Sequence, residues 1–260
     1  MNLEPSTLNF KHHPALNPLN PEQPHTIALL LAGGLGSRVS AQCPKQYIEI
    51  DGEPVILRTM RAFQQHPDVT DIYVVCSPRW SDYVVHQALR HGVSKFRNTL
   101  VSGPTAFLSI RLGIEGLLRA CGDGLEDDPI VLVHDAVRPL ISYEVISRNI
   151  QTCLLKGNAI TAIRSNEAYM VTEDGCSSND YIRREALMRA QTPHTFPLSE
   201  LRRIMSEADR RGISDHQSLF TLCNELGIHP LYISEGDPMN FKITQPGDIK
   251  IYQALREVFF

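Results

Sequence analysis

Residues 27–51 read IALLLAGGLGSRVSAQCPKQYIEID, and the order of events in this stretch decides the fold. Ile27 to Leu31 is an apolar run of strand length, suited to burial on both faces of a sheet. Ala32-Gly33-Gly34-Leu35-Gly36-Ser37 follows, with residues small enough for backbone N–H groups to approach a ligand. A buried strand that runs into a glycine turn suits phosphate. Arg38 and Lys45 then bracket a short loop in which Pro44 fixes the backbone just before the lysine. A forked guanidinium and a point-charge ammonium can thus face one polyanion. The stretch reads as a nucleoside triphosphate site.

Two commoner motifs do not fit. A dinucleotide fingerprint needs G-x-G-x-x-G, and Val39 stands where its third glycine belongs. The Walker pattern places its lysine after a glycine, whereas Lys45 follows Pro44.

With 260 residues, 42% hydrophobic and 21% charged, the chain can bury a large core. A net charge of -4 and the lack of any Lys/Arg run argue against nucleic-acid binding. No apolar run approaches membrane-spanning length and the N-terminus lacks the pattern of a signal peptide, so the expectation is a cytoplasmic protein with no membrane partner. The six cysteines are scattered without metal spacing and read as reduced thiols. Cys76 and Cys153 fall in apolar patterns and read as core residues, while Cys43 lies in the proposed loop, where its pKa could be lowered.

Residues 1–25 carry Pro5, Pro14, Pro18, Pro21 and Pro24 and read as an extended tail, leaving 26–260 as one domain. Apolar spacing predicts a helix from Pro54 to the His66-Pro67 stop, a strand over Asp71 to Ser77, and an amphipathic helix over Trp80 to His91. A short strand, Thr99 to Val101, opens onto Ser102-Gly103-Pro104-Thr105, and a helix follows from Ala106 to Cys121. Ile130 to Val133 is a strong strand signal running into His134-Asp135-Ala136-Val137-Arg138-Pro139. Strands alternating with helices imply an α/β fold of Rossmann-like design: a mostly parallel twisted sheet, helices on both faces, and ligands at the carboxyl edge. The glycine turn, the Ser102-Gly103-Pro104-Thr105 loop and the His134 to Pro139 loop all fall on that edge.

From Ala159 the rhythm changes. Ala159 to Arg164 is strand-like, and Tyr169-Met170-Val171 with Tyr181-Ile182 flank a polar turn, so 164–186 reads as a protruding β-hairpin arm that needs a partner surface. Gln191 to Phe196 reads as the return to the body, Leu198 to Arg211 as a helix, and Gln217 to Leu226 as a helix capped by Ser214 or Asp215 and closed by Gly227. Pro230 to Ser234 and Met239 to Thr244 read as strands, with a last helix from Pro246.

LAGGLGSR, PKQ, HDAVRP, RRE-x5-QTPHTF and GDPMNFKIT occur in one order along residues 28–250. Together they resemble the cytidylyltransferases that make CDP-activated polyols, the family of the 2-C-methyl-D-erythritol 4-phosphate and ribitol 5-phosphate enzymes. That resemblance implies that Ala32, Gly33, Gly34 and Gly36 hold cytosine and phosphates, with Gly103 and Ser109 closing the other side of base and ribose. It implies that Arg38 and Lys45 contact the triphosphate, that Lys242 is a second catalytic lysine, and that Asp135 lies near Mg2+ and the ribose. Arg138 and Thr192 match contacts to the acceptor phosphate. Arg184 matches an arginine that the arm delivers to the neighbouring subunit's site, which implies a homodimer.

The implied reaction is attack of a substrate phosphate oxygen on the α-phosphorus of CTP, with pyrophosphate leaving in line; the nucleophile is already an anion and no general base is visible. The sequence departs from the family at Ala106 and Leu108, where an arginine and a polar or acidic residue are usual, and at Glu167-Ala168, where an Asp-Thr pair helps bind the polyol. Val137 and Leu140-Ile141 favour a ribitol 5-phosphate-like acceptor. Methylerythritol phosphate, another phosphorylated acceptor, or a nucleotide-binding protein with weak activity remain the alternatives.

Overall fold

The computed structural model describes residues 24–34, 43–122 and 128–259, with side chains described through Leu255. Its elements in chain order are β1 (Thr26–Leu31), β2 (Glu49–Ile50), β3 (Glu53–Pro54), α1 (Val55–Gln65), β4 (Asp71–Cys76), α2 (Pro78–Arg90), β5 (Phe96–Val101) and α3 (Ala106–Cys121). Then come β6 (Ile130–Asp135), α4 (Tyr143–Lys156), β7 (Ala159–Arg164), β8 (Tyr169–Val171), β9 (Asp180–Ile182), β10 (Met188–Pro197), α5 (Leu198–Arg210), α6 (Leu219–Glu225), β11 (Ile233–Glu235) and α7 (Pro246–Phe259).

The main sheet has the order β11-β7-β10-β6-β1-β4-β5. β1 pairs in parallel with β4 and β6, β4 with β5, and β11 with β7, while β10 alone runs antiparallel to its neighbours. β1 is therefore a central strand, and its alternation sorts the core. Ile27 and Leu29 face one side with Val131, Val133, Phe107, Ile114 and Leu201. Ala28 and Leu30 face the other with Ile56, Met60, Phe63, Val84 and Ile146. Helices α3, α5 and α6 cover the first face, and α1, α2 and α4 the second. The α/β reading with helices on both faces is borne out.

Register sets the active edge. Leu31 lies opposite both Val75 and Asp135, and Val101 lies opposite Cys76. The backbone N–H of Ala32 donates to Val75 at 2.8 Å, and that of Ala136 donates to Leu31 at 3.1 Å. The glycine turn, the loop after β5 and the His134-Asp135 loop therefore leave the sheet side by side, as the topology rule requires.

Several boundaries differ from expectation. The return segment is a ten-residue strand, β10, whose register shifts between Ala190 and His194. Pro193 sits inside that bulge, where no ladder N–H is needed, which is how a proline survives within the sheet. Met239 to Thr244 is not a strand: the N–H groups of Met239 and Asn240 turn to the Asp237 side chain and carbonyl, and that of Ile243 to the Val137 carbonyl. Helix α6 begins later than expected, because Ser218 and Thr221 form a reciprocal capping box. β5 starts at Phe96 and β11 runs from Ile233 to Glu235. The hairpin falls where expected, with Met170 opposite Tyr181 and Tyr169 opposite Ile182. Among the described residues no helix is long and apolar enough to cross a membrane. Residues 1–23 of the expected tail lie outside the described residues.

Candidate active site

A cavity of about 160 Å³ opens at the carboxyl edge, lined by Gly33, Gly34, Lys45, Gly103, Ser109, Asp135 and Lys242. Of the thirteen residues assigned from sequence, these seven share one space. Gly36 and Arg38 lie outside the described residues.

The first wall is built from contacts too close for any larger residue. A Cβ on Gly33 would stand 2.5 Å from Ser102 Cβ and 2.9 Å from Ser109 Oγ, so only glycine fits there. Ser109 is buried, and its hydroxyl accepts from the Gly103 N–H and donates to the Gly103 carbonyl, both at 3.1 Å. Ala32 lies just behind, fully in the core.

Lys45 leaves a one-turn 3-10 helix, Lys45–Tyr47, whose next residue proves central. Gln46 is 2% exposed, and its Nε2 donates to the Ala32 carbonyl at 2.6 Å and to the Gly34 carbonyl at 2.9 Å. One amide thus holds both ends of the visible glycine turn. Tyr47 fixes the turn from beneath by stacking on Trp80, with ring centroids 4.3 Å apart. The sequence put Gln46 inside a motif, but nothing in the spacing gave its role. Cys43 corrects an expectation: burial, then the nearby Glu49 carboxylate, raise its thiol pKa instead of lowering it.

The second wall is ionic. Asp135 ends β6 with its side chain 16% exposed; Lys242 Nζ donates to Oδ1 at 3.0 Å and Arg138 Nε to Oδ2 at 3.0 Å. Burial opposes the carboxylate charge, yet Lys242 and Arg138 outweigh it and hold its pKa well below the usual range. The Arg138 guanidinium is itself buried, and Nη1 donates to the Asn240 carbonyl at 2.7 Å. Thr192, in the β10 bulge, accepts the Asp135 N–H at its hydroxyl at 3.1 Å and meets His134 Nδ1 at 3.1 Å. His134 is fully buried, and burial keeps it neutral by pushing its pKa down to about 3.

Lys242 is carried by a loop clamped at both ends. Ile243 is fully buried with Val137, Leu140 and Val55, and Asp248 accepts from the Thr244 N–H at 2.6 Å and its hydroxyl at 2.9 Å. Arg184 is exposed on the arm and does not line this cavity.

The family model for 2-C-methyl-D-erythritol 4-phosphate cytidylyltransferase matches residues 26–257. The chain belongs to this family. It is accordingly a CTP-dependent nucleotidyltransferase, a cytidylyltransferase. It is 34% identical to the ribitol-5-phosphate cytidylyltransferase of Streptococcus agalactiae serotype Ia over 88% of this chain and 94% of that one. The 2-C-methyl-D-erythritol 4-phosphate cytidylyltransferase of Acidobacterium capsulatum is 32% identical over 86% and 94% of the two chains. The crystal structure of the enzyme of that name from Thermus thermophilus superposes with a TM-score of 0.68 at 25% identity, covering 90% of this chain and 99% of that one.

Proposed function

We propose that this cytidylyltransferase joins CTP to a phosphorylated polyol, with ribitol 5-phosphate as the favoured acceptor, giving a CDP-polyol and pyrophosphate. The observation that carries the reading is the convergence of Lys242 and Arg138 on Asp135 in a cavity that the Gly33-Gly34 turn and Lys45 also line. Backbone amides of the turn bind the triphosphate, Lys45 and Lys242 screen the two anions that must meet, and Arg38 adds a third cation from the loop. An acceptor phosphate oxygen forms a bond to the α-phosphorus as the bond to the β-phosphate bridge breaks, and pyrophosphate leaves with the displaced electron pair.

Arg138 and Thr192 are the proposed acceptor-phosphate contacts, and both already touch Asp135 or its backbone, so they also orient it. Asp135 is the one carboxylate among the described cavity-lining residues, and no cluster of three or more His, Cys, Asp or Glu is present among the described residues. That donor set fits Mg2+, which keeps one or two carboxylates and takes substrate phosphates. When bound there, the ion supplies charge neutralisation of the triphosphate.

The acceptor preference is supported by relatives named for ribitol 5-phosphate at 33% and 34% identity. A methylerythritol phosphate acceptor is the second reading, supported by the name of the family model and by the Acidobacterium capsulatum relative named for that acceptor at 32% identity. Pyrophosphate release across a panel of acceptors tests both: strict use of methylerythritol phosphate overturns the preference, and no release with any acceptor despite CTP binding overturns the reaction.

The arm supports a homodimer in which the partner's Arg184 completes the site. All six residues of β8 and β9 are exposed, five of them apolar or aromatic, with Met170 76% and Tyr181 70% exposed. An isolated two-stranded hairpin of this kind is marginal alone. A monodisperse monomer in sedimentation at micromolar concentration would refute the shared site.

A further inference from the structure

We infer that Asn240 is a positioning residue for the transfer reaction, through a staple that ties the Lys242 loop to the β10 bulge; the inference rests on the reaction proposed above. Asn240 is fully buried and lines no part of the cavity. Its Nδ2 donates to the Thr192 carbonyl at 2.8 Å, and its own carbonyl accepts Arg138 Nη1 at 2.7 Å. Arg138 in turn holds Asp135 Oδ2, and the Asp135 N–H returns to the Thr192 hydroxyl. The four residues close a ring across the end of β6, the β10 bulge and the Lys242 loop. Asn240 reaches neither the cavity nor its carboxylate, and it is the member of the ring carried on the Lys242 loop.

Its Oδ1 is the second observation. That atom is buried with no hydrogen-bond partner among the described residues. A buried acceptor left unmade is costly, and such orphans are few in folded proteins. The amide cannot be turned to relieve it, because Nδ2 must face the Thr192 carbonyl. An apolar residue of similar volume would avoid the orphan, so the side chain is retained for what Nδ2 and the adjacent carbonyl hold in place. Gln191 supports the same geometry: it is buried in the bulge, and its Nε2 donates to the Asp237 carbonyl at 2.8 Å. The Asp237 N–H and Asn240 Nδ2 also donate to Gln191 Oε1 at 3.3 and 3.4 Å, so four hydrogen bonds join the Lys242 loop to the bulge, and Asn240 makes the join that reaches the ionic wall.

Both Lys242 and Arg138 act on Asp135 across hydrogen bonds, where a displacement of about 1 Å can lower the rate about a hundredfold. Loss of the staple should therefore act on turnover more than on nucleotide affinity, whose walls at Gly33 and Gln46 are elsewhere. The test compares Asn240→Asp, which keeps volume and removes the donor, with Asn240→Ala. In both, kcat for pyrophosphate release is expected to fall by about thirtyfold or more with the KM for CTP within about threefold of wild type. Native-state hydrogen exchange is the parallel readout: the Asp135 amide should exchange about tenfold faster while the β1 amides keep their rates.

Unchanged kcat with an unchanged Asp135 amide overturns the inference. A uniform rise in exchange across the sheet also overturns it, since Asn240 would then only support the fold. If the wild-type enzyme releases no pyrophosphate with any acceptor, the proposed reaction fails, and exchange alone decides on the staple: localised acceleration upholds it and no localised change overturns it.

Discussion

Replacing Gln46 with methionine removes two donors at nearly constant volume, and the cost follows from where the two acceptors lie. The Ala32 carbonyl belongs to a residue 2% exposed, so losing the 2.6 Å bond leaves a buried acceptor with only the long 3.4 Å contact from the Tyr47 hydroxyl. Such an orphan costs about 1–3 kcal/mol. The Gly34 carbonyl belongs to an exposed residue, and water can replace the 2.9 Å bond at little cost. The sum is about 2 kcal/mol, which for a domain of this size lowers Tm by roughly 4–8 °C. The turn can recover part of that energy by rotating the Ala32 and Gly34 peptides, and rotation misdirects the N–H groups proposed to meet the triphosphate. If about 1.4 kcal/mol of binding is lost this way, the KM for CTP rises about tenfold. Pyrophosphate release at varied CTP, beside thermal unfolding of the same preparation, measures both quantities. A lowered Tm with an unchanged KM would show that the amide serves only the fold, and no change in either would refute the geometry.

Lys242→Met should lower kcat about a hundredfold or more, because it removes one of the two cations on Asp135 and the cation proposed to face the developing charge; single-turnover kinetics measures it. Gly33→Ala should weaken CTP binding at least tenfold in calorimetry, since the new Cβ meets Ser102 Cβ at 2.5 Å and the rigid turn must move. His194 is buried with Nε2 unpartnered among the described residues, and burial holds its pKa down to about 4 against an ordinary 6.5. The unfolded chain therefore binds this proton first, so stability is full above about pH 6.5 and falls as pH drops toward 4, by about 2 kcal/mol at pH 5. His194→Leu should remove about half of the fall in denaturant midpoint over that window, because His134, held down to about 3 by burial, titrates against the fold in the same way. Met170→Asp combined with Tyr181→Ser should shift the sedimenting species from dimer toward monomer and lower kcat with it.

The parallel body of the fold was legible because its signals are local. Ile27 to Leu31, Asp71 to Cys76 and Ile130 to Val133 are apolar runs, and the helices between them carry stripes that all face the sheet. The misreadings lie where tertiary contacts override pattern. Met239, Phe241 and Ile243 alternate like a strand, yet they pack into the third apolar cluster with Val137 and Tyr252 while the N–H groups of Met239 and Ile243 turn to the Asp237 side chain and the Val137 carbonyl. Gln191 to Phe196 reads only as a return to the body, yet it lies in the ten-residue strand β10, which accommodates Pro193 at a bulge and Pro197 at its last residue. Ser214 and Asp215 are sound capping residues, but the reciprocal pair of Ser218 and Thr221 satisfies two donors where either of them could satisfy one.

The charged residues of the site were readable for a different reason than the amides that hold them. Lys45, Asp135 and Lys242 announce themselves because ionised groups beside glycine turns at strand ends have few structural uses. Gln46 and Asn240 act on main-chain carbonyls of Ala32, Gly34 and Thr192, and a carbonyl leaves no trace in sequence because every residue carries one. Arg138 shows what this hides. Read alone it is a phosphate-binding arginine, but its guanidinium already spans Asp135 Oδ2 and the Asn240 carbonyl. If Arg138 holds an acceptor phosphate as proposed, it does so through donors those two bonds leave over, or by displacing one of them, and either route couples the acceptor to the loop that carries Asn240.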